Sequence, residues 1–285
     1  MTQIKEFFDK NTWTLTYVVW DEKTRDAIVI DPVMDYDPAA SKTSEESAKS
    51  VIEFLRAKEL NLHFILETHA HADHLSGSQI IKKEFPNAQI AIGEKIMKVQ
   101  EVFKSVFGLP EDFKTDGSQF DRLLKDGEEF QAGAIKIKTL FTPGHTPACA
   151  SYYIDGNVFV GDALFMPDYG TGRCDFPAGS ATDLYHSVHD RLYQLPDSTK
   201  VYTGHDYLPN GRSLKFMATI AEEKKENIQL KVQTSLEEFV RFRTERDSTL
   251  AAPKLLLPSV QINIDAGHLP QPSKNGKRYL RIPVS

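Results

Sequence analysis

Thr68-His69-Ala70-His71-Ala72-Asp73-His74 places three histidines and one aspartate within six positions, directly after the near-continuous apolar run Leu62–Leu66. Such a run reads as a strand covered on both faces, so the polar cluster falls where a buried strand ends. Three imidazoles and a carboxylate are expensive to bury without a cation, and His, Asp and Glu are the ordinary ligands of zinc, iron and manganese. His69 and His71 are two residues apart, so on a turn just past the strand both rings reach one ion. Asp73 and His74 lie further round the same turn and reach a neighbouring position. The bland alternative is a chance cluster of surface histidines. The chain has nine His, however, and five of them sit in four segments that each follow a predicted strand.

Three further segments follow the same plan. Ile135 and Ile137 alternate with lysines in a strand that leads to Thr142-Pro143-Gly144-His145. Ser151–Ile154 and Val158–Val160 flank the hairpin signal Asp155-Gly156-Asn157, and the second of these strands ends in Gly161-Asp162. Lys200–Thr203 then precedes Gly204-His205. In sheets covered by helices, strand-end residues converge on one edge, where loops shape a pocket. His145, Asp162 and His205 therefore complete the coordination shells, with Asp162 placed to bridge them. His145 or His205 alone would be equally well explained as a satisfied polar residue.

The rest of the chain alternates strands with helices, which indicates α/β. Thr14–Trp20 and Ala27–Ile30 read as an early hairpin. Thr43 and Glu46 have capping-box spacing ahead of Ala48, Val51, Ile52 and Leu55, which recur at helical intervals. Further helices are predicted over 75–84, 94–107, 183–195, 212–229 and 235–246. A length of 285 residues suits one catalytic unit over 1–230 with an extension over 231–285, which ends in a proline-punctuated tail.

Composition narrows the function classes. Hydrophobic residues at 40% and charged residues at 26% are those of a folded globular chain. A net charge of −6 provides no field for nucleic acid, although local cations can still attract an anionic small molecule. No window approaches the roughly 18 apolar residues of a membrane span. The first nine residues carry charges in place of a signal peptide's apolar core, which points to the cytoplasm. Cys149 and Cys174, the only cysteines, read as free thiols, a single bridge between them being the alternative.

The H-x-H-x-D-H run, followed in order by Gly144-His145, Gly161-Asp162 and Gly204-His205, resembles the metallo-β-lactamase superfamily over about Thr14 to Leu230. The resemblance implies an αββα sandwich with the metal centre at the sheet edge. Within it, Gly161-Asp162-Ala163-Leu164-Phe165, the run Gly170–Phe176 and Leu184–His189 are similar to the persulfide dioxygenases, as is the Ala72-Asp73-His74 ending of the first motif. What this implies is oxidation of glutathione persulfide by O2 at one Fe(II) per chain, held by His69, His145 and Asp162, to give sulfite and glutathione. Two histidines and one carboxylate leave three open positions on an octahedral ion. His71, Asp73, His74 and His205 then form a surrounding layer, with Asp73 and His74 acting on bound water.

The runner-up is the thioester hydrolase glyoxalase II, in which all seven groups hold two zinc, iron or manganese ions and a bridging hydroxide attacks the thioester. The longer segment after Asp31 and the tail after Leu230 depart from the dioxygenase pattern and keep this alternative in play. By the same resemblance Arg173, Tyr207 and Lys224 contact the glutathione moiety, against the plainer readings of a surface ion pair, a core hydroxyl and a solvated helix charge. Tyr207 also counts among the catalytic candidates. Cys174 beside Arg173 reads as a small apolar filler, a thiol near the substrate sulfur being the alternative, Cys149 as core, His63 as a satisfied structural histidine, and His186 and His189 as residues that pack or lie just outside the ligands. His268 carries no signal. Superfamily members that process nucleic acid or carry a flavin unit need an added domain, for which this chain has no room. A homodimer is an admissible assembly.

Overall fold

A computed structural model describes residues 2–284. The chain opens with β1 (Thr2–Asp9), β2 (Thr14–Asp21), β3 (Asp26–Ile30), β4 (Val33–Asp37) and β5 (Lys42–Ser44), followed by α1 (Glu46–Ala57) and β6 (Asn61–Leu66). Then come β7 (Leu75–Ser76), α2 (Ser78–Glu84), β8 (Gln89–Gly93), α3 (Ile96–Val106) and β9 (Arg122–Leu124). The second half runs β10 (Glu129–Ala132), β11 (Ile135–Phe141), β12 (Ala150–Ile154), β13 (Asn157–Phe159), α4 (Ala181–His189), β14 (Lys200–Tyr202), β15 (Met217–Thr219) and α5 (Ile220–Glu226). It closes with α6 (Leu236–Asp247) and α7 (Leu256–Asn263).

Two six-stranded sheets form, in the orders β1-β2-β3-β6-β8-β9 and β10-β11-β12-β13-β14-β15, with a small third sheet β5-β4-β7. The β2–β3 and β12–β13 pairs are antiparallel, as expected for two hairpins, the second from its Asp155-Gly156-Asn157 turn signal. Period-2 alternation sorts the side chains between layers. Leu15, Tyr17 and Val19 of β2 face Phe159, Tyr152 and Tyr202 across the sandwich, whereas Val18 between them packs toward α1 and α3. On the far face of the second sheet Val158 and Val201 pack under Leu184 and Val188 of α4 and Phe239 of α6. The order helix, sheet, sheet, helix is thus the expected αββα sandwich.

Several predicted elements are corrected. Thr43 is not a helix cap but lies in β5, opposite Tyr36, and α1 starts at Glu46 with no side-chain cap of its own. Its first turn is satisfied from outside, because Asp35 accepts from Ser47 N (2.9 Å) and Ser47 Oγ (2.7 Å). The helix predicted over 212–229 is mostly loop and strand: Thr219 forms a full capping box with Glu222, which fixes the start of α5 at Ile220. The helix predicted over 183–195 ends at His189 and gives way to a 3-10 turn at Leu192–Gln194. Leu75 and Ser76 pair with β4 before α2 begins. Several elements were not predicted, among them β1, which pairs along its length with β2, the strand β8, and α7, hidden in the leucine-rich tail. No helix among the described residues is long and apolar enough to cross a membrane. Cys149 and Cys174 are free and buried, the former thiol pushed up to about 12 by burial and the latter raised by burial too.

Candidate metal centre

Every segment of the centre leaves a strand at the same edge. Leu15 N–H donates to Gly204 O (2.8 Å) and Gly204 N–H to Gly161 O (3.0 Å), so β2 and the loops after β13 and β14 are laced together. Ala150 N–H donates to Thr68 O (2.9 Å), which ties the second sheet to the histidine run. The glycines in the motifs have steric work. Gly161 has φ +50°, and a Cβ there would lie 2.6 Å from Thr68 Oγ1. Gly144, at φ +142°, sits against Leu184 of α4, with backbone atoms 2.4 Å from where a Cβ would stand.

His69, His71, His74 and His205 are buried, and His145 and Asp162 are nearly so, each 6% exposed where the site opens. The ligating atoms of His69, His145 and Asp162 lie within 4.8 Å of one another, and so do those of His71, Asp73, His74 and His205. The seven predicted residues are therefore brought together as two adjacent groups. Asp162 stands between them, with Oδ2 3.5 Å from His145 Nε2 and Oδ1 3.4 Å from His205 Nε2. Asp73 Oδ2 is 3.3 Å from His205 Nε2. His69 Nε2, His74 Nε2, His205 Nε2 and Asp162 Oδ1 are buried and lack any hydrogen-bond partner among the described residues. Buried polar atoms are ordinarily satisfied, and these point into shared space, which is the behaviour of a donor set that fits a cation.

Surrounding groups fix which ring nitrogen is free. Thr68 Oγ1 donates to Asp31 Oδ2 (2.7 Å), so it accepts from His69 Nδ1 (3.0 Å) and leaves Nε2 bare. His145 Nδ1 donates to Arg173 O (2.6 Å), with the same result. Burial and the neighbouring His71 hold His69 well below its ordinary pKa, and burial and His74 do so for His71. Both rings are thus neutral and able to ligate. Burial would raise Asp73, but His205 and His74 outweigh it and hold the carboxyl well below the usual range. Asp31, Glu67 and His71 form a third close group, with His71 Nε2 3.1 Å from Asp31 Oδ1. Glu67 is raised to about 8 by burial and by Asp31, and its Oε1 accepts from Ser76 Oγ and Ser78 Oγ. Because Thr68 already binds Asp31 through both its N–H and its hydroxyl, this group reads as support for the ligands. Asp31 and Glu67 were assigned no role at the site from sequence, although a carboxylate ending each of two buried strands was a usable signal.

A cavity of about 940 Å³ opens on Asp73, His145 and Asp162. The β4–β5 hairpin lines one side and residues 250–255 another. Tyr207 lines it and stacks on His205 (ring centroids 5.5 Å apart, 17° between planes) and on Tyr169 (4.8 Å, 30°), with Trp13 and Phe165 completing an aromatic wall. Burial and the charges of Asp162 and Asp73 raise the Tyr207 phenol well above its ordinary value, so it stays protonated.

Arg173 also lines the cavity, but its fork is bidentate on Asp175 (2.5 Å twice) and its remaining nitrogen donates to Ala251 O (2.7 Å). Lys224 is not among the lining residues: it sits on α5 and donates to Asp197 Oδ1 (2.6 Å), because helix and acid face each other outside the pocket. The lining cations without an ion pair among the described residues are Lys42, Arg246 and Lys254, none of which the sequence singled out. His63 pairs with Asp26 (2.7 Å) and is partly exposed, His186 pairs with Asp190 (2.8 Å), His189 stacks on Tyr185 (4.1 Å) and His268 donates to Asp265 O (2.6 Å).

Known proteins place this arrangement. Residues 14–205 match the sequence profile of the metallo-beta-lactamase superfamily. The chain is 46% identical to Glyoxylase B2 of Dictyostelium discoideum, over 99% of this chain and 97% of that one. It is 31% identical to the mitochondrial persulfide dioxygenase ETHE1 of Homo sapiens, over 84% and 79%. The crystal structure of ETHE1 from Myxococcus xanthus superposes with a TM-score of 0.74 at 32% identity, over 93% of this chain and all of the other. From motif, fold and donor set together, the chain belongs to the metallo-β-lactamase superfamily.

Proposed function

We propose that the protein is a persulfide dioxygenase, in which glutathione persulfide, O2 and water give glutathione and sulfite. The observation that carries the reading is the separate His69, His145 and Asp162 group with the cavity opening on two of its members. Two histidines and a carboxylate are the donor set of non-haem Fe(II) oxygenases. An iron ion held there would supply open positions where the persulfide sulfur and O2 meet. The chain's own residues do the rest. Thr68 and the Arg173 carbonyl keep the His69 and His145 rings in the ligating tautomer. The Tyr207 phenol offers a proton for hydrogen bonding on the cavity side, and the aromatic wall limits bulk water. Arg246, Lys254 and Lys42 offer charge to the carboxylates of a glutathione moiety, a role the saturated Arg173 fork is less free to fill. The likeness to the human and Myxococcus ETHE1 proteins supports the same reading. The proposal includes a cytoplasmic setting.

A second reading is thioester hydrolysis at two metal ions. It is favoured by the complete second group His71, Asp73, His74 and His205, by the two oxygens of Asp162 facing one group each, and by the name of the Dictyostelium relative. An oxygen electrode separates the two. Iron-loaded protein should consume one O2 per glutathione persulfide and release sulfite. Absence of uptake together with rapid hydrolysis of lactoyl-glutathione would overturn the dioxygenase.

A further inference from the structure

The turn that carries His71, Asp73 and His74 is held from behind by a residue 189 to 192 positions away. Asn263, the last residue of α7, is 4% exposed. Its Nδ2 donates to His71 O and to His74 O, each at 2.8 Å, and its Oδ1 accepts from Ser76 N at 2.8 Å. Two carbonyls require the amide nitrogen and one N–H requires the oxygen, so the orientation of the carboxamide is fixed by its partners. Three hydrogen bonds from one planar group therefore set the width of the turn from residue 71 to residue 76. The helix does not depend on them for its place, since Ile262 and Leu255 pack on Met34 and Leu75 through apolar contact.

We propose that Asn263 is a positioning residue for the metal centre, acting on the His71, Asp73 and His74 group alone. The other group is oriented by different atoms, the Thr68 hydroxyl for His69 and the Arg173 carbonyl for His145. Opening the turn moves the backbone of two candidate ligands and leaves His69, His145 and Asp162 where they are. The inference rests on that group holding an ion of its own, as in the two-metal reading.

The test is zinc titration of metal-free protein against a chromophoric chelator, for the parent chain and for Asn263→Ala and Asn263→Asp. Removing an outer partner of a ligand costs about 10- to 100-fold in metal affinity. In both variants one of two bound zinc ions should weaken by that factor while the other stays within twofold. Aspartate keeps the shape but turns an oxygen toward two carbonyls, so it should do no better than alanine and serves if alanine fails to fold. A purely structural role predicts a lower melting temperature for metal-free protein with both affinities within twofold of the parent, and that result overturns the proposal. So does a parent that binds a single zinc ion with an affinity unchanged in the variants.

Discussion

Thr68→Val replaces a hydroxyl by a methyl of the same shape at a position 1% exposed, so its effect isolates one hydrogen-bond relay. The hydroxyl donates to Asp31 Oδ2 at 2.7 Å and accepts from His69 Nδ1 at 3.0 Å. Valine removes both bonds and leaves two buried polar atoms without those partners. A hydrogen bond to a buried charge contributes about 1.5–3 kcal/mol, and a buried donor left unmet costs about 1–3 kcal/mol. Asp31 keeps the Thr68 N–H (2.7 Å), which tempers the first of these. A net loss of about 2–4 kcal/mol in unfolding free energy follows for metal-free protein. The free His69 ring can also turn or change tautomer, so metal affinity should fall by about 10- to 100-fold at the His69, His145, Asp162 group. Denaturant unfolding and chelator competition measure the two effects, and Thr68→Ser, which keeps the hydroxyl, should recover most of both. A valine variant within about 0.5 kcal/mol of the parent, with unaltered metal affinity, would show that the relay does not orient His69.

Three further outcomes are expected. Burial raises the Glu223 carboxyl to about 8, against 4.5 when free, so the native state binds the extra proton across that interval and stability declines by a few kcal/mol as pH rises from about 4.5 to about 8; Glu223→Gln should flatten this slope in urea melts, and an unchanged slope would discount the group. Arg243→Met leaves Asp247 uncompensated where the pair is buried at 2.6 Å, and should lower unfolding free energy by about 3–5 kcal/mol, with Arg243→Met/Asp247→Leu recovering part of it. Arg246→Ala/Lys254→Ala should raise KM for glutathione persulfide by about tenfold, roughly 1.4 kcal/mol, with kcat within twofold; an unchanged KM would put the substrate's anionic end elsewhere.

The part of the site legible in the sequence is the part built from local spacing. His69, His71, Asp73 and His74 share one turn, and Gly161-Asp162 follows a hairpin whose turn residues announce it. What escaped was nonlocal. Asp31, Glu67 and Asn263 matter through partners in other elements, and nothing within a few residues of Asn263 marks it apart from any helix-ending asparagine. Arg173 drew notice through its resemblance to a glutathione-contacting position, but Asp175 two residues on engages its fork, and only the structure shows that Ala251 takes the remaining donor. The helix predicted over 212–229 failed because apolar periodicity does not register that Met217–Thr219 finds a strand partner in β14. Thr43 had the right spacing for a cap and was taken into β5, while Asp35 of the neighbouring strand β4 satisfies the first turn of α1 instead.

The bonds from Asn263 to the carbonyls of His71 and His74 span 192 and 189 residues. During synthesis the histidine turn leaves the ribosome long before its brace exists. At about 5–20 residues per second, the interval is on the order of 10–40 s. Through that time the turn has its strand but not its backing, so a growing chain offers metal ions only a loosely spaced set of ligands. Tight binding of a metal at that turn would then follow the synthesis of α7, after the loop and that helix have found each other.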